Sequence, residues 1–330
     1  MMRVAVMDDW QGVARSAADW SAVEARAEVA VFAEPFADED AAAAALAGFD
    51  ILVPMRERTE LSASLIARLP RLRMIALTGG RSQSLALDAC TAAGVLVCNT
   101  GGERSSIGTA ELALGLMLAA ARFIPAGDAA IRAGRFQGGV GVGPVLDGRT
   151  LGIIGLGKIG ARVGGYGRAL GMKLIAWSPN LTEEAAHAGG AQLVTKAQLL
   201  AQSDVISLHV ILSPRSRGMI GAADLAAMKP GAILVNTSRG PLVDEAALLD
   251  ALHRGHIQAA LDVFAEEPLP PRHPLRTAPN TVLTPHLGYG TQDTFAQFYG
   301  ESVQNILAFL DNAPTRAMNP DALAVARKTA

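Results

Sequence analysis

Three glycines carry the first chemical signal in this chain. Gly155, Gly157 and Gly160 fall in the spacing G-x-G-x-x-G, inside the stretch TLGIIGLGKIGARVGGYGRALGMKLIAWS that runs from Thr150 to Ser178. The apolar run 151–154 reads as a buried strand, 158–170 as a helix and 172–177 as a second strand, which makes a βαβ unit. The glycines have a steric reason: the first permits the tight turn, the second lets the backbone touch a pyrophosphate, and the third lets helix and strand pack closely. Free amides at the helix start would then face phosphate oxygens. This reading sets Gly155, Gly157, Lys158, Ile159 and Gly160 against a nucleotide. A glycine-rich turn in an ordinary α/β domain is the plainer alternative, and the flanking strands and helix argue against it.

The elements that must position such a site follow from composition and periodicity. A chain of 330 residues favours about two domains. Half of it is hydrophobic and 18% is charged, with a net charge of −2. That balance gives no basic field for nucleic acid and no polybasic segment for a membrane surface, so the expected ligands are small molecules. No apolar run reaches the roughly 18 residues of a membrane span, and the acidic N-terminal stretch is unlike a signal peptide. Cys90 and Cys98 lie in apolar surroundings without metal-ligand spacing, which suits buried thiols in a reducing, cytoplasmic setting. Apolar runs at 4–7, 29–32, 51–54, 74–78 and 95–98 alternate with helical stretches at 39–47, 61–69 and 84–93, which predicts a parallel sheet covered on both faces. The same alternation predicts a second doubly wound sheet of about six strands after residue 150. Between the two lies 107–122, an alanine- and leucine-rich helix expected to be buried nearly all round, followed by a glycine-rich arm over 134–148. No helix is expected over the last 20 or so residues, beyond the amphipathic run 292–311.

Loops at the carboxyl ends of strands are where open α/β sheets bind ligands. In the first domain these are 54–59 and 78–83. They offer Arg56, Arg58 and Arg81, and the amides of Gly79 and Gly80, to an acidic substrate. Three more motifs stand at strand ends after the glycine unit: Asn236-Thr-Ser-Arg-Gly240, Asp262-Val-Phe-Ala-Glu-Glu-Pro268 and Thr284-Pro-His-Leu-Gly288. In order and content they resemble the D-isomer-specific 2-hydroxyacid dehydrogenase family, over nearly the whole chain.

That resemblance implies two α/β domains with doubly wound parallel sheets: a Rossmann NAD(P)-binding domain over 100–286, inserted in a flavodoxin-like substrate domain over 1–99 and 287–330, with the active site in the cleft between them. It implies a hydride passing between nicotinamide and a 2-hydroxy or 2-keto acid, with Arg239, Glu267 and His286 as the catalytic set. The chemistry asks for such a set. Arg239 can hold a carboxylate bidentately. His286 can exchange the hydroxyl proton near neutral pH. Glu267 would orient the imidazole and favour its charged form. Each residue alone also fits a structural salt bridge or a surface acid; the three in family order are what favours catalysis. His209, Thr237, Asp262 and Gly288 resemble cofactor-side residues, while His187, His253, His256 and His273 read as solvated surface side chains. No metal site is expected, because no histidine has a ligand partner at close spacing.

The chain also departs from the family. The acid expected at the end of the second strand of the nucleotide unit is Ser178, which leaves both NAD(H) and NADP(H) open as cofactors. An additional C-terminal regulatory domain, as in longer phosphoglycerate dehydrogenases, is not expected. A homodimer is expected from the resemblance and from the apolar helix 107–122. Two alternatives share the fold: a nucleotide-sensing corepressor-like interaction protein, and formate or phosphite oxidation.

Overall fold

The computed structural model describes residues 1–80 and 82–329, with side chains through residue 325. Arg81 lies outside the described residues. The chain divides into two units, Met1–Ser105 with Thr291–Ala330, and Ser106–Gly290; the sequence reading set its boundaries after residues 99 and 286.

In the first unit the strands β1 (Met2–Val6), β2 (Ala27–Val31), β3 (Ile51–Val53), β4 (Met74–Leu77) and β5 (Leu96–Asn99) form one sheet in the order β2-β1-β3-β4-β5, the flavodoxin-like arrangement. All of its pairings are parallel. Its central strands are buried on both faces, which is why they read as continuous apolar runs rather than alternating ones. The helix Gln292–Leu310, capped by Thr291, packs on this unit through Phe298 and Tyr299, both fully buried. Asn305 on the same helix donates from Nδ2 to the Asn99 carbonyl at 2.9 Å. Cys90 and Cys98 are free and buried, and burial pushes both thiols up to about 11.

The second unit holds a sheet of seven strands, one more than expected. These are β6 (Thr150–Ile154), β7 (Lys173–Trp177), β8 (Gln192–Leu193), β9 (Val205–Leu208), β10 (Ile233–Asn236), β11 (Gln258–Leu261) and β12 (Thr281–Leu283). Their order is β12-β11-β10-β9-β6-β7-β8, all parallel, with the direction of winding reversing at β6. The register matters for function. Ile154 pairs with Trp177 and with Leu208, Leu208 with Asn236, Asn236 with Leu261, and Leu261 with Leu283. One residue past each of these stand Ser178, Gly155, His209, Thr237, Asp262 and Thr284, a single row along the carboxyl edge of the sheet.

Three expectations about helices need correction. The apolar helix spans Glu103–Ala121, and the stretch 107–122 is not buried all round: Glu111, Gly115 and Arg122 are exposed. A further helix, Ile124–Arg132, follows where none is expected. Pro125 and Gly127 look like breakers, yet a proline in the first turn loses no intrahelical bond. The C-terminal stretch also carries a helix, Ala322–Thr329. No single helix among the described residues is long and apolar enough to cross a membrane.

Candidate active site

The glycine turn is shaped by what side chains would collide with. Gly155 has φ +96°, and a Cβ there would come 2.5 Å from the His209 carbonyl oxygen. A Cβ on Gly160 would come 2.1 Å from the Gly155 carbonyl oxygen. Gly157 is different: nothing lies within 4 Å of where its Cβ would be, and it is the extended N-cap of the helix Lys158–Ala169 with no side-chain capping bond. The first turn of that helix has no acidic residue. Open space, unsatisfied amides and the positive end of the helix dipole suit an anion. Further along the row, the Thr237 hydroxyl is buried and has no hydrogen-bond partner among the described residues. These residues would fit a dinucleotide, whose pyrophosphate the open space at Gly157 could accommodate.

His209, next to this turn, is half-buried, and its Nε2 lies 2.8 Å from the Ser207 hydroxyl. Desolvation pushes its imidazole down to about 3, so it is neutral at physiological pH. Ser178 follows β7 directly, half-buried, beside Gly155, whose amide donates to the Trp177 carbonyl at 3.0 Å.

The second cluster sits on the turns after β10, β11 and β12. His286 Nδ1 and Glu267 Oε2 are 2.5 Å apart, and the other Glu267 oxygen accepts from the Phe264 amide at 2.8 Å. A carboxylate in this role accepts, so Nδ1 carries a proton. Burial works to raise the Glu267 carboxyl. The hydrogen bond and charge of His286, the Phe264 amide and the Arg239 charge outweigh it and hold the group below the usual carboxylate range. Arg239 thus acts on the same carboxylate that holds the histidine. Its guanidinium donates from Nη1 to the Ser238 carbonyl at 2.7 Å. The turn that presents it is closed by Asn236, which donates to the Arg239 carbonyl at 2.9 Å and accepts from the Ser238 amide at 3.0 Å. Gly240 lets this turn press on the next one, since a Cβ there would lie 2.0 Å from the Phe264 carbonyl carbon.

His286 itself has φ +53°, a left-handed conformation that costs a non-glycine residue on the order of 1 kcal/mol. What holds it is Asp262, a residue with no solvent exposure. The Asp262 backbone carbonyl accepts from the His286 amide at 2.8 Å. Its Oδ1 accepts from the Thr284 hydroxyl at 2.6 Å and from the Leu287 amide at 2.8 Å, and its Oδ2 from the Gly288 amide at 2.8 Å. Burial pushes the Asp262 carboxyl up in spite of these donors. Asp262 and Gly288, expected beside a cofactor, therefore engage one another, and together they fix the histidine turn.

On the first unit, Arg56 and Gly79 are adjacent: a Cβ on Gly79 would lie 3.8 Å from the Arg56 guanidinium. Arg56 Nη1 donates to the Ser105 hydroxyl at 3.0 Å. The Gly79 amide donates to the Thr100 hydroxyl at 2.7 Å, and the Gly80 carbonyl accepts from Asn99 Nδ2 at 3.0 Å. Arg58 stacks over Trp10 at 4.3 Å. Two of the supposed surface histidines also need correction: His256, whose Nε2 is buried with no hydrogen-bond partner among the described residues, and His273. His273 has 14% of its side chain exposed and pairs through Nε2 with Glu245 at 3.0 Å, while its Nδ1 accepts from the Leu275 amide at 3.3 Å. It ties the segment after Glu267 to the helix Glu245–His253 that follows the Arg239 turn.

With this geometry in place, comparison with known proteins identifies the family. Residues 114–288 match the model of the D-isomer specific 2-hydroxyacid dehydrogenase NAD binding domain. The chain belongs to that family. A glyoxylate reductase from Aeropyrum pernix is 38% identical over 274 residues, covering 80% of this chain and 82% of the relative. A D-3-phosphoglycerate dehydrogenase from Methanocaldococcus jannaschii is 42% identical over 246 residues, covering 74% of this chain and 46% of the relative. The chain thus spans about half the length of the phosphoglycerate dehydrogenases it matches. Among solved structures, a phosphoglycerate oxidoreductase from Vibrio cholerae superimposes with a TM-score of 0.89 at 37% identity, over 95% of this chain and 100% of that one.

Proposed function

We propose that this protein is an NAD(P)-dependent oxidoreductase acting on a small 2-keto or 2-hydroxy acid, with Arg239, Glu267 and His286 as its catalytic set. The observation that carries the reading is the shared carboxylate. Glu267 accepts from His286 Nδ1 and also feels the charge of Arg239, all at the strand ends of an NAD binding domain. A bound dinucleotide supplies or accepts the hydride. Arg239 pairs with the substrate carboxylate through its planar fork. His286 gives a proton from Nε2 to the forming hydroxyl, or takes one in the reverse direction, and Glu267 keeps the ring aligned while Nε2 changes its proton. Asp262, Thr284 and Gly288 hold the turn that presents the histidine.

Arg56, Gly79 and Gly80 are assigned to the substrate in this reading. We also assign a homodimer. Ile124, Ile131, Phe136, Val142 and Val145 are each more than half exposed within one segment of the second unit, and such clustered apolar surface favours burial against a second copy. A monomer mass by light scattering would remove that assignment. The cytoplasm, where thiols stay reduced, suits Cys90 and Cys98.

The activity is tested by following oxidation of NADH and NADPH with glyoxylate and larger 2-keto acids, and reduction of NAD and NADP with formate and phosphite. Turnover of at least one 2-keto acid is the expected result. Turnover of formate or phosphite alone, or of nothing, would overturn the assignment.

A further inference from the structure

We infer that Ser178 makes this enzyme accept NADH and NADPH with similar affinity. The inference rests on the dinucleotide reading of the glycine turn and extends it to cofactor choice. In nucleotide-binding sheets of this kind, an acid about 20 residues beyond the fingerprint, at the end of the second strand, binds the ribose hydroxyls of NAD and disfavours a 2′-phosphate.

The register fixes which residue holds that place. Ile154 pairs with Trp177 and the Gly155 amide donates to the Trp177 carbonyl at 3.0 Å. Ser178 therefore stands level with the first glycine of the fingerprint, about 4.8 Å away by ordinary strand spacing. It is half-buried, with Pro179 and Asn180 exposed beyond it, and the turn closes through the Leu181 amide donating to the Ser178 carbonyl at 3.2 Å.

The side chains at this corner are neutral. Ser178 and Asn180 can each donate to a phosphate oxygen or a ribose hydroxyl. No acid stands within 177–181 to repel a 2′-phosphate, and no arginine or lysine stands there to attract one. The nearest carboxylates in sequence, Glu183 and Glu184, are exposed in the first turn of the next helix, where solvent and salt weaken their reach. The segment 177–181 thus lacks both of the charges that separate the two cofactors, and Lys196, just beyond the adjacent strand end of β8, is paired with Asp224 at 2.8 Å.

The test is a fluorescence titration of the full chain with NADH and with NADPH, which needs no substrate. Dissociation constants within about tenfold of each other are expected, a difference below roughly 1.4 kcal/mol. Ser178→Asp should raise the NADPH-to-NADH ratio at least about tenfold while NADH binding persists, which also reports that the variant is folded. Ser178→Ala should leave the ratio within about threefold of wild type, because charge and not the hydroxyl sets it. A wild-type ratio beyond tenfold, or a Ser178→Asp shift below tenfold, overturns the role of Ser178. Failure of both nucleotides to bind would overturn the dinucleotide reading itself, and the proposal with it.

Discussion

The glycine turn after β6 and the histidine turn after β12 belong to the same edge of one sheet and are built in opposite ways. The first is shaped by omission. Side chains at Gly155 and Gly160 would strike backbone atoms 2.5 and 2.1 Å away, and the determinants lie within six residues of sequence. The second is shaped by addition. Asp262, fully buried, gathers donors from Thr284, Leu287 and Gly288, and Glu267 reaches His286 across a separation of 19 residues. A turn made by omission tolerates no added atom, whereas a turn made by addition fails when a partner is taken away.

The largest expected effect comes from taking away the proposed acid–base group. His286→Ala should lower kcat by about 10² to 10⁴-fold while NADH affinity stays within a few fold, since the histidine is no part of the glycine turn. Activity within about threefold of wild type at neutral pH would remove His286 from the chemistry.

Adding one methyl group at the other turn comes next. Gly160→Ala places a carbon against a backbone carbonyl that cannot rotate away, so overpacking should cost about 1 to 3 kcal/mol. Unlike His286→Ala, it should weaken NADH binding and lower Tm together. A variant with unchanged Tm and unchanged dissociation constant would show that this turn is looser than described.

Asp262→Asn sharpens the comparison from the side of addition. The amide can replace only one acceptor oxygen, and it turns a donor toward the Leu287 or Gly288 amide. The unsatisfied pair should cost about 1 to 3 kcal/mol, and kcat should fall because the histidine turn loses its register. A pH dependence accompanies this. Burial raises the folded-state pKa of Asp262, so its contribution to stability is greatest below the ordinary carboxylate pKa and declines as pH rises through the raised value. The stability gap between wild type and Asp262→Asn should therefore narrow from acid toward neutral pH in denaturant titrations. A gap that widens would contradict the assigned direction.

The same contrast explains what the sequence could and could not reveal. The βαβ unit was legible because its signal is local: an apolar strand, three glycines at fixed spacing and a helix. Arg239, Glu267 and His286 were nameable only through the family pattern, because nothing in their spacing says that β10, β11 and β12 lie side by side. The brace that Asp262 makes was not legible, since its partners Thr284, Leu287 and Gly288 are 22 to 26 residues away in sequence. His273 looked like a surface residue in a proline-rich stretch, and its pairing with Glu245 spans 28 residues. The helix Ile124–Arg132 was hidden by Pro125, which reads as a breaker in sequence and acts as a starter in place.

The central claim is that Glu267 and His286 act as one acid–base unit, and the pH profile of Glu267→Gln tests it most directly. Glu267 is ionised through the neutral range because His286, the Phe264 amide and Arg239 together hold its carboxyl down, and a carboxylate favours the proton-bearing form of the imidazole it holds. A glutamine of the same shape removes that charge. In 2-keto acid reduction, which needs the protonated ring, the alkaline limb of kcat/KM should move to lower pH, while NADH binding stays unchanged. A limb that stays where it is in wild type, or moves to higher pH, would contradict the account.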